Sequence, residues 1–142
     1  MASANFTNLA RHLAKADIDF DTSTFKVLLV SSLPSEANLD GWVFRSDVTN
    51  EITGTGYSAG GISQAFTLDA LDTTNNRQSV TYTNISGGWT GATFSAAGAI
   101  IYQNVGSAAT DRLMHSIDFG GTVSCTAGTF SITYTTPFYI NR

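Results

Sequence analysis

Residues 129–135, Thr-Phe-Ser-Ile-Thr-Tyr-Thr, alternate apolar and hydroxyl side chains without a break. A period of two puts Phe130, Ile132 and Tyr134 on one face, which a helix of 3.6 residues per turn cannot do. Residues 62–68 alternate in the same way, as do Val80 and Tyr82 among threonines and Leu113, His115, Ile117 and Phe119 along residues 113–119. Residues 24–31 are apolar on both sides, with Phe25, Val27 and Leu29 facing one way and Leu28 and Val30 the other. That pattern predicts a strand covered on both faces. Residues 99–103 read as another central strand. Polar or glycine-rich turns separate these runs at 72–77, 84–88, 120–121 and 128. The predicted architecture is all-β, an antiparallel β-sandwich or jelly roll, with Phe25, Val27, Leu29, Ile100, Ile117, Phe130 and Ile132 in its core.

One helix interrupts this pattern. Phe6, Leu9, Ala10 and Leu13 recur at helical spacing within residues 4–16, with Asn5 or Ser3 available as a cap. His12 falls on the polar side of that helix and is predicted to be solvated. A helix this short is marginal alone, so its stripe must dock on something, the chain's own sheet or a neighbouring subunit. The chain of 142 residues reads as a single β-sandwich domain, residues 1–142, carrying residues 1–16 as an N-terminal helical arm. Residues 32–41 read as a loop with a helical turn, followed by the apolar run Trp42-Val43-Phe44. Three consecutive large apolar side chains cannot all point inward from one strand.

Between two strand-like runs lies Glu51-Ile-Thr-Gly-Thr-Gly-Tyr-Ser-Ala-Gly-Gly61, with four of the thirteen glycines. Gly54-x-Gly56 invites a phosphate-loop reading. Such a loop needs a helix behind it, whose N-terminal amides hold the anion, and here the next residues alternate as a strand. Gly54, Gly56, Gly60 and Gly61 therefore predict a structural corner, with Tyr57 laying its ring over the turn and its hydroxyl on a polar partner.

A net charge of −4 with scattered Lys and Arg excludes a general nucleic-acid binder, which needs a basic stripe. A single cysteine, Cys125, excludes an internal disulfide. No apolar run long enough for a membrane span or a secretion leader is present, so no membrane partner is expected. His12, His115 and Cys125 form no metal-ligand spacing, and Cys125 has no basic neighbour in sequence to activate it. Asp17, Asp19 and Asp21 recur at every second residue but lack the glycine and terminal Glu of a calcium loop, and Asp69 and Asp72 read as turn residues. Trp42 and Trp89 could stack sugars, although tryptophans in β proteins usually sit in cores. No catalytic constellation, cofactor or metal is expected.

The blocks Asp21-Thr22 with Phe25-Lys26-Val27, the glycine corner, Trp89 with Ala92-Thr93-Phe94, and Ala99-Ile100-Ile101-Tyr102 stand in order along the chain. Asp111-Arg112-Leu113, Ile117-Asp118-Phe119-Gly120-Gly121 and Gly128-Thr129-Phe130-Ser131-Ile132 complete the series. Together with the N-terminal helix, they resemble a family of small structural proteins of tailed-bacteriophage virions. The chain departs from that pattern at residues 33–44, where Trp42 and Phe44 are additions, and near Pro137. The resemblance implies a non-enzymatic virion component, best matched to a capsid cement (decoration) protein on the shell exterior. Its implied partners are the major capsid protein and further copies of the chain. A tail-associated role and a carbohydrate-binding adhesin using Trp42 or Trp89 are the alternatives. Phe6, Leu9 and Leu13 of the helix and Trp42, Val43 and Phe44 are the candidate docking residues.

Overall fold

The alternating runs become strands in the computed structural model, which describes residues 2–141. In chain order the elements are β1 (Ala4–Asn5), α1 (Asn8–Ala14), β2 (Phe25–Val30), α2 (Glu36–Gly41), a 3₁₀ turn (Arg45–Asp47) and β3 (Ile62–Gln64). Then follow β4 (Phe66–Leu68), β5 (Arg77–Tyr82), β6 (Ile85–Gln103), β7 (Arg112–Ile132) and β8 (Phe138–Asn141). One sheet has the order β1-β7-β6-β2-β3 and the other β4-β5-β8, with antiparallel pairing throughout. The sandwich is as predicted. The jelly-roll connectivity is not seen, because β2 and β3, β4 and β5, and β6 and β7 are each neighbours in sequence and in a sheet.

Strand β2 lies inside the larger sheet, between β6 and β3. Its Phe25, Val27 and Leu29 face a core shared with Val80, Tyr82 and Phe138 of the smaller sheet. Leu28 and Val30 face the other way, into a second core with Phe6, Leu39, Ile100, Tyr102 and Leu113. Both faces of β2 are covered, as its continuous apolar run requires. Of the predicted core, Phe25, Val27, Leu29, Ile100, Phe130 and Ile132 are buried. Ile117 is only half-buried, because it lines a cleft between β7 and the residues that follow it.

The glycines of 84–88 and 120–121 do not end strands. Strands β6 and β7 instead form one long hairpin in which the irregular stretches are bulges. Between the pairs Gly98↔Asp118 and Ala96↔Val123, the residues around Gly120-Gly121 loop out of the ladder, and Gly120 supplies a φ of 78°. A further register shift lies between Ile101↔His115 and Tyr102↔Leu113. It sends Leu113 into the second core and Met114 into the first, so Leu113 does not share the face of His115, Ile117 and Phe119.

The N-terminal segment also departs from expectation. Residues 4–5 are a strand paired with Ser116 and His115, and the helix begins only at Asn8, with neither Asn5 nor Ser3 as its cap. Phe6 and Leu9 are 1% and 3% exposed and belong to the two cores, so this segment is docked on its own sheet. The backbone amide of Phe6 donates to Met114 O and that of Thr7 to Leu39 O, which fixes the segment to β7 and α2. Ala16 takes a left-handed φ of 57°, while Ala16 N donates to Leu13 O and Asp17 N to His12 O. This closing turn brings Asp17 back against His12.

Candidate functional site

The candidate surface is built from the end of α2. Ser35 Oγ accepts from Asn38 N at 3.3 Å, and Asn38 Oδ1 accepts from Ser35 N at 3.0 Å, a reciprocal cap that starts the helix. Leu39 inserts into the second core, and the chain leaves the helix extended at Trp42. Trp42, Val43 and Phe44 are each half-buried. Trp42 packs against the second core, while the Phe44 ring lies 6.4 Å from that of His12.

The backbone beneath this patch is held on both sides. The Asp47 carboxylate accepts from Val43 N at 2.8 Å and Phe44 N at 2.9 Å. Val43 O accepts from Leu113 N, and Arg45 N donates to Asp111 O. Arg45 Nε also donates to Asp111 Oδ2 at 2.8 Å, and Asp111 Oδ1 accepts from Val105 N and Gly106 N. Burial by itself would raise the Asp111 carboxyl; the Arg45 hydrogen bond and the two amides outweigh it and hold the group below the usual carboxylate range. The patch is therefore a partly exposed apolar segment on a rigid backbone.

The glycine corner lies next to it. Gly56, Gly60 and Gly61 have φ values of 80°, 85° and 65°. A Cβ on Gly54 would lie 2.7 Å from Thr93 O, and one on Gly61 would lie 1.8 Å from Val27 O. The Tyr57 ring packs on Trp89 and Phe94. Its hydroxyl donates to Glu51 Oε1 at 2.8 Å and accepts from Leu29 N at 3.1 Å. The β2–β3 register ends at Val27↔Ile62, so the hydroxyl stands in for a strand partner at Leu29. Glu51 also accepts from Gly60 N, and Gly60 O accepts from the Tyr102 hydroxyl at 2.6 Å. Burial pushes the Tyr102 phenol up to about 12. The Arg45 guanidinium stacks over the Tyr102 ring at 5.5 Å and joins the corner to the patch. The corner's glycines pass close against β2 at Val27 and against β6 at Thr93.

The six candidate docking residues thus separate. Phe6 and Leu9 are in the cores, Leu13 is half-buried against the first core, and Trp42, Val43 and Phe44 are each half-buried, Trp42 against the second core and Phe44 beside His12. Trp89 is 2% exposed, so it offers no ring to an external ligand. His12, expected to be solvated, is 6% exposed, with Nδ1 3.2 Å from Asp17 Oδ2. Its position one turn from Leu9 puts it on the docked side of the helix, a placement that helical spacing could have found. His115 is half-buried with Nδ1 2.7 Å from Asn5 Oδ1. Asp19 accepts from Asp21 N and Thr22 Oγ1, and Asp72 from Asn75 and Arg77, as turn residues do. Among the described residues no group of His, Cys, Asp and Glu is placed to hold a metal ion, and no helix is long and apolar enough to cross a membrane.

No family model matches the chain, and no curated protein or solved structure matches it.

Proposed function

We propose that the chain is a structural component of a bacteriophage virion, a cement protein that docks on the exterior of the assembled capsid and clamps neighbouring capsid subunits. The observation that supports this is the Trp42-Val43-Phe44 patch, whose backbone is pinned by Asp47, Leu113 and the Arg45–Asp111 pair. A preorganised apolar segment loses little freedom on docking, so more of its contact energy remains as affinity. The sequence blocks that resemble virion structural proteins supply the partner, the major capsid protein. A shell offers many equivalent sites, and an oligomeric clamp engaging two of them gains roughly 10²–10⁴ in avidity.

The experiment is retention on purified shells lacking the protein. The Trp42→Ala, Phe44→Ala double variant, checked for folding by its melting transition, should lose retention. Val43→Lys, which puts a charge in the patch while leaving both aromatic anchors, should weaken it. Particles without the protein should rupture at lower temperature than intact ones. Full retention of both folded variants, or equal robustness of stripped particles, would sink the proposal.

A further inference from the structure

The smaller sheet ends in an open edge. Its order, β4-β5-β8, leaves β8 bonded to β5 on one side, and among the described residues no other strand pairs with it. Such an edge presents backbone N–H and C=O groups to any strand laid alongside, and no charged residue or proline falls within β8 to blunt it.

Three depressions meet at Ile140. One of about 470 Å³ lies between β8 and α1, against Ala10 and Leu13. A second of about 450 Å³ continues past Leu13 to Phe20 and Leu68. The third, of about 400 Å³, reaches Leu71. Leu68 and Leu71 are 44% and 66% exposed, so the fold leaves their apolar surface in solvent beside the open edge. The result is an apolar groove along β8, and none of Trp42, Val43 and Phe44 lines it.

Shape and charge together define the occupant. The backbone groups of the edge call for a strand, in which every second side chain faces the groove. The apolar lining calls for Val, Ile or Leu at those positions. The charged residues of the groove are Asp19, Asp21, Asp72 and Arg77. Arg77 is committed to Asp72 at 3.0 Å and lies over the Tyr139 ring at 3.9 Å. Asp19 accepts from Asp21 N and Thr22 Oγ1, neutral donors that leave its charge in place, and Asp21 is exposed. No Lys or Arg lines that end of the groove. A strand carrying Lys or Arg there supplies the missing cation, and an acidic strand is repelled.

We propose that the groove between α1 and β8 takes an extended arm of a partner protein, added to the smaller sheet as a further strand, apolar at alternate positions and basic at the Asp19–Asp21 end. It is a surface separate from the shell-docking patch and does not depend on that reading.

The test is an amide chemical-shift titration of the full chain with the end-capped peptide Lys-Thr-Val-Thr-Val-Thr-Val-Lys. Two control peptides replace its lysines by glutamate or its valines by serine. The basic apolar peptide should give saturable shifts at Leu13, Leu68 and residues 138–140 and should slow hydrogen exchange of the β8 amides. The glutamate peptide should bind about tenfold more weakly, a gap that narrows at about 0.5 M salt, and the serine peptide should not bind. Asp21→Asn should weaken the basic peptide about threefold, the scale of an exposed ion pair. Leu68→Ser changes an exposed side chain, so it should melt as wild type does and bind the peptide about tenfold more weakly. The Trp42→Ala, Phe44→Ala variant should bind the peptide normally whether or not it binds shells. The proposal is overturned if the basic peptide gives no saturable shifts or shifts elsewhere, if the glutamate peptide binds as tightly, or if Leu68→Ser binds as well as wild type. It is equally overturned if sedimentation and dilution shifts at β8 show a second copy of the chain filling the groove.

Discussion

Replacing Gly61 by alanine tests the corner most directly, because the structure separates two costs there. At φ 65° an L-residue pays a left-handed penalty of about 1–2 kcal/mol. The added Cβ would also lie 1.8 Å from Val27 O, on the strand at the centre of the fold. Relief requires the corner to move away from β2, which disturbs the Val27↔Ile62 pairing and costs about 1 kcal/mol for each backbone hydrogen bond lost. With two such bonds lost the sum is about 3–4 kcal/mol. Gly91 is the internal control: its φ is 58°, but a Cβ there meets nothing within 4 Å, so Gly91→Ala should cost only about 1–2 kcal/mol. Gly56→Ala, with its Cβ 2.9 Å from Thr90 O, should fall between them and keeps the series readable if Gly61→Ala does not fold. At about 2–4 °C per kcal/mol for a chain of this size, thermal melting should put Gly61→Ala about 6–16 °C below wild type and Gly91→Ala about 2–8 °C below. Equal losses in all three variants would refute the close-approach argument and leave only backbone conformation.

Two further outcomes follow from single side chains. Tyr57→Phe leaves Leu29 N–H and a Glu51 oxygen without their shared partner, so urea unfolding followed by tryptophan fluorescence should show a loss of about 1–3 kcal/mol; unchanged stability would mean that the corner does not depend on this hydroxyl. Burial holds His115 down to about 4, below its ordinary 6.5, so between those values the unfolded chain binds a proton that the folded chain does not. Its contribution is constant above about pH 6.5 and declines by at most about 1.4 kcal/mol per pH unit as pH falls towards 4. His115→Leu should flatten the stability profile in that window, and identical slopes in the two proteins would contradict the assignment.

The sequence by itself determined that the alternating runs are strands, and it determined most of the core. Alternation is a local property, and Phe25, Val27, Leu29, Phe130 and Ile132 are buried because a period of two leaves one face for them. The corner was legible for a related reason: four glycines before an alternating run have few uses other than a sharp approach to a packed strand. Only the tertiary structure decided how the strands pair. A glycine pair such as Gly120-Gly121 serves a turn or a bulge equally well, and the choice depends on a partner strand some twenty residues away, here across the ladder at residues 96–98. The one-residue shift at Met114 moved Leu113 to the opposite face, an outcome set by the register of β6 against β7 rather than by β7's own pattern. His12 and Phe6 went inside because α1 and the residues before it dock on β7 and α2, whose positions no local pattern contains. The cleft that Ile117 lines is of the same kind: its walls come from Ser3, β5, β7 and the chain beyond β7, which no local pattern brings together.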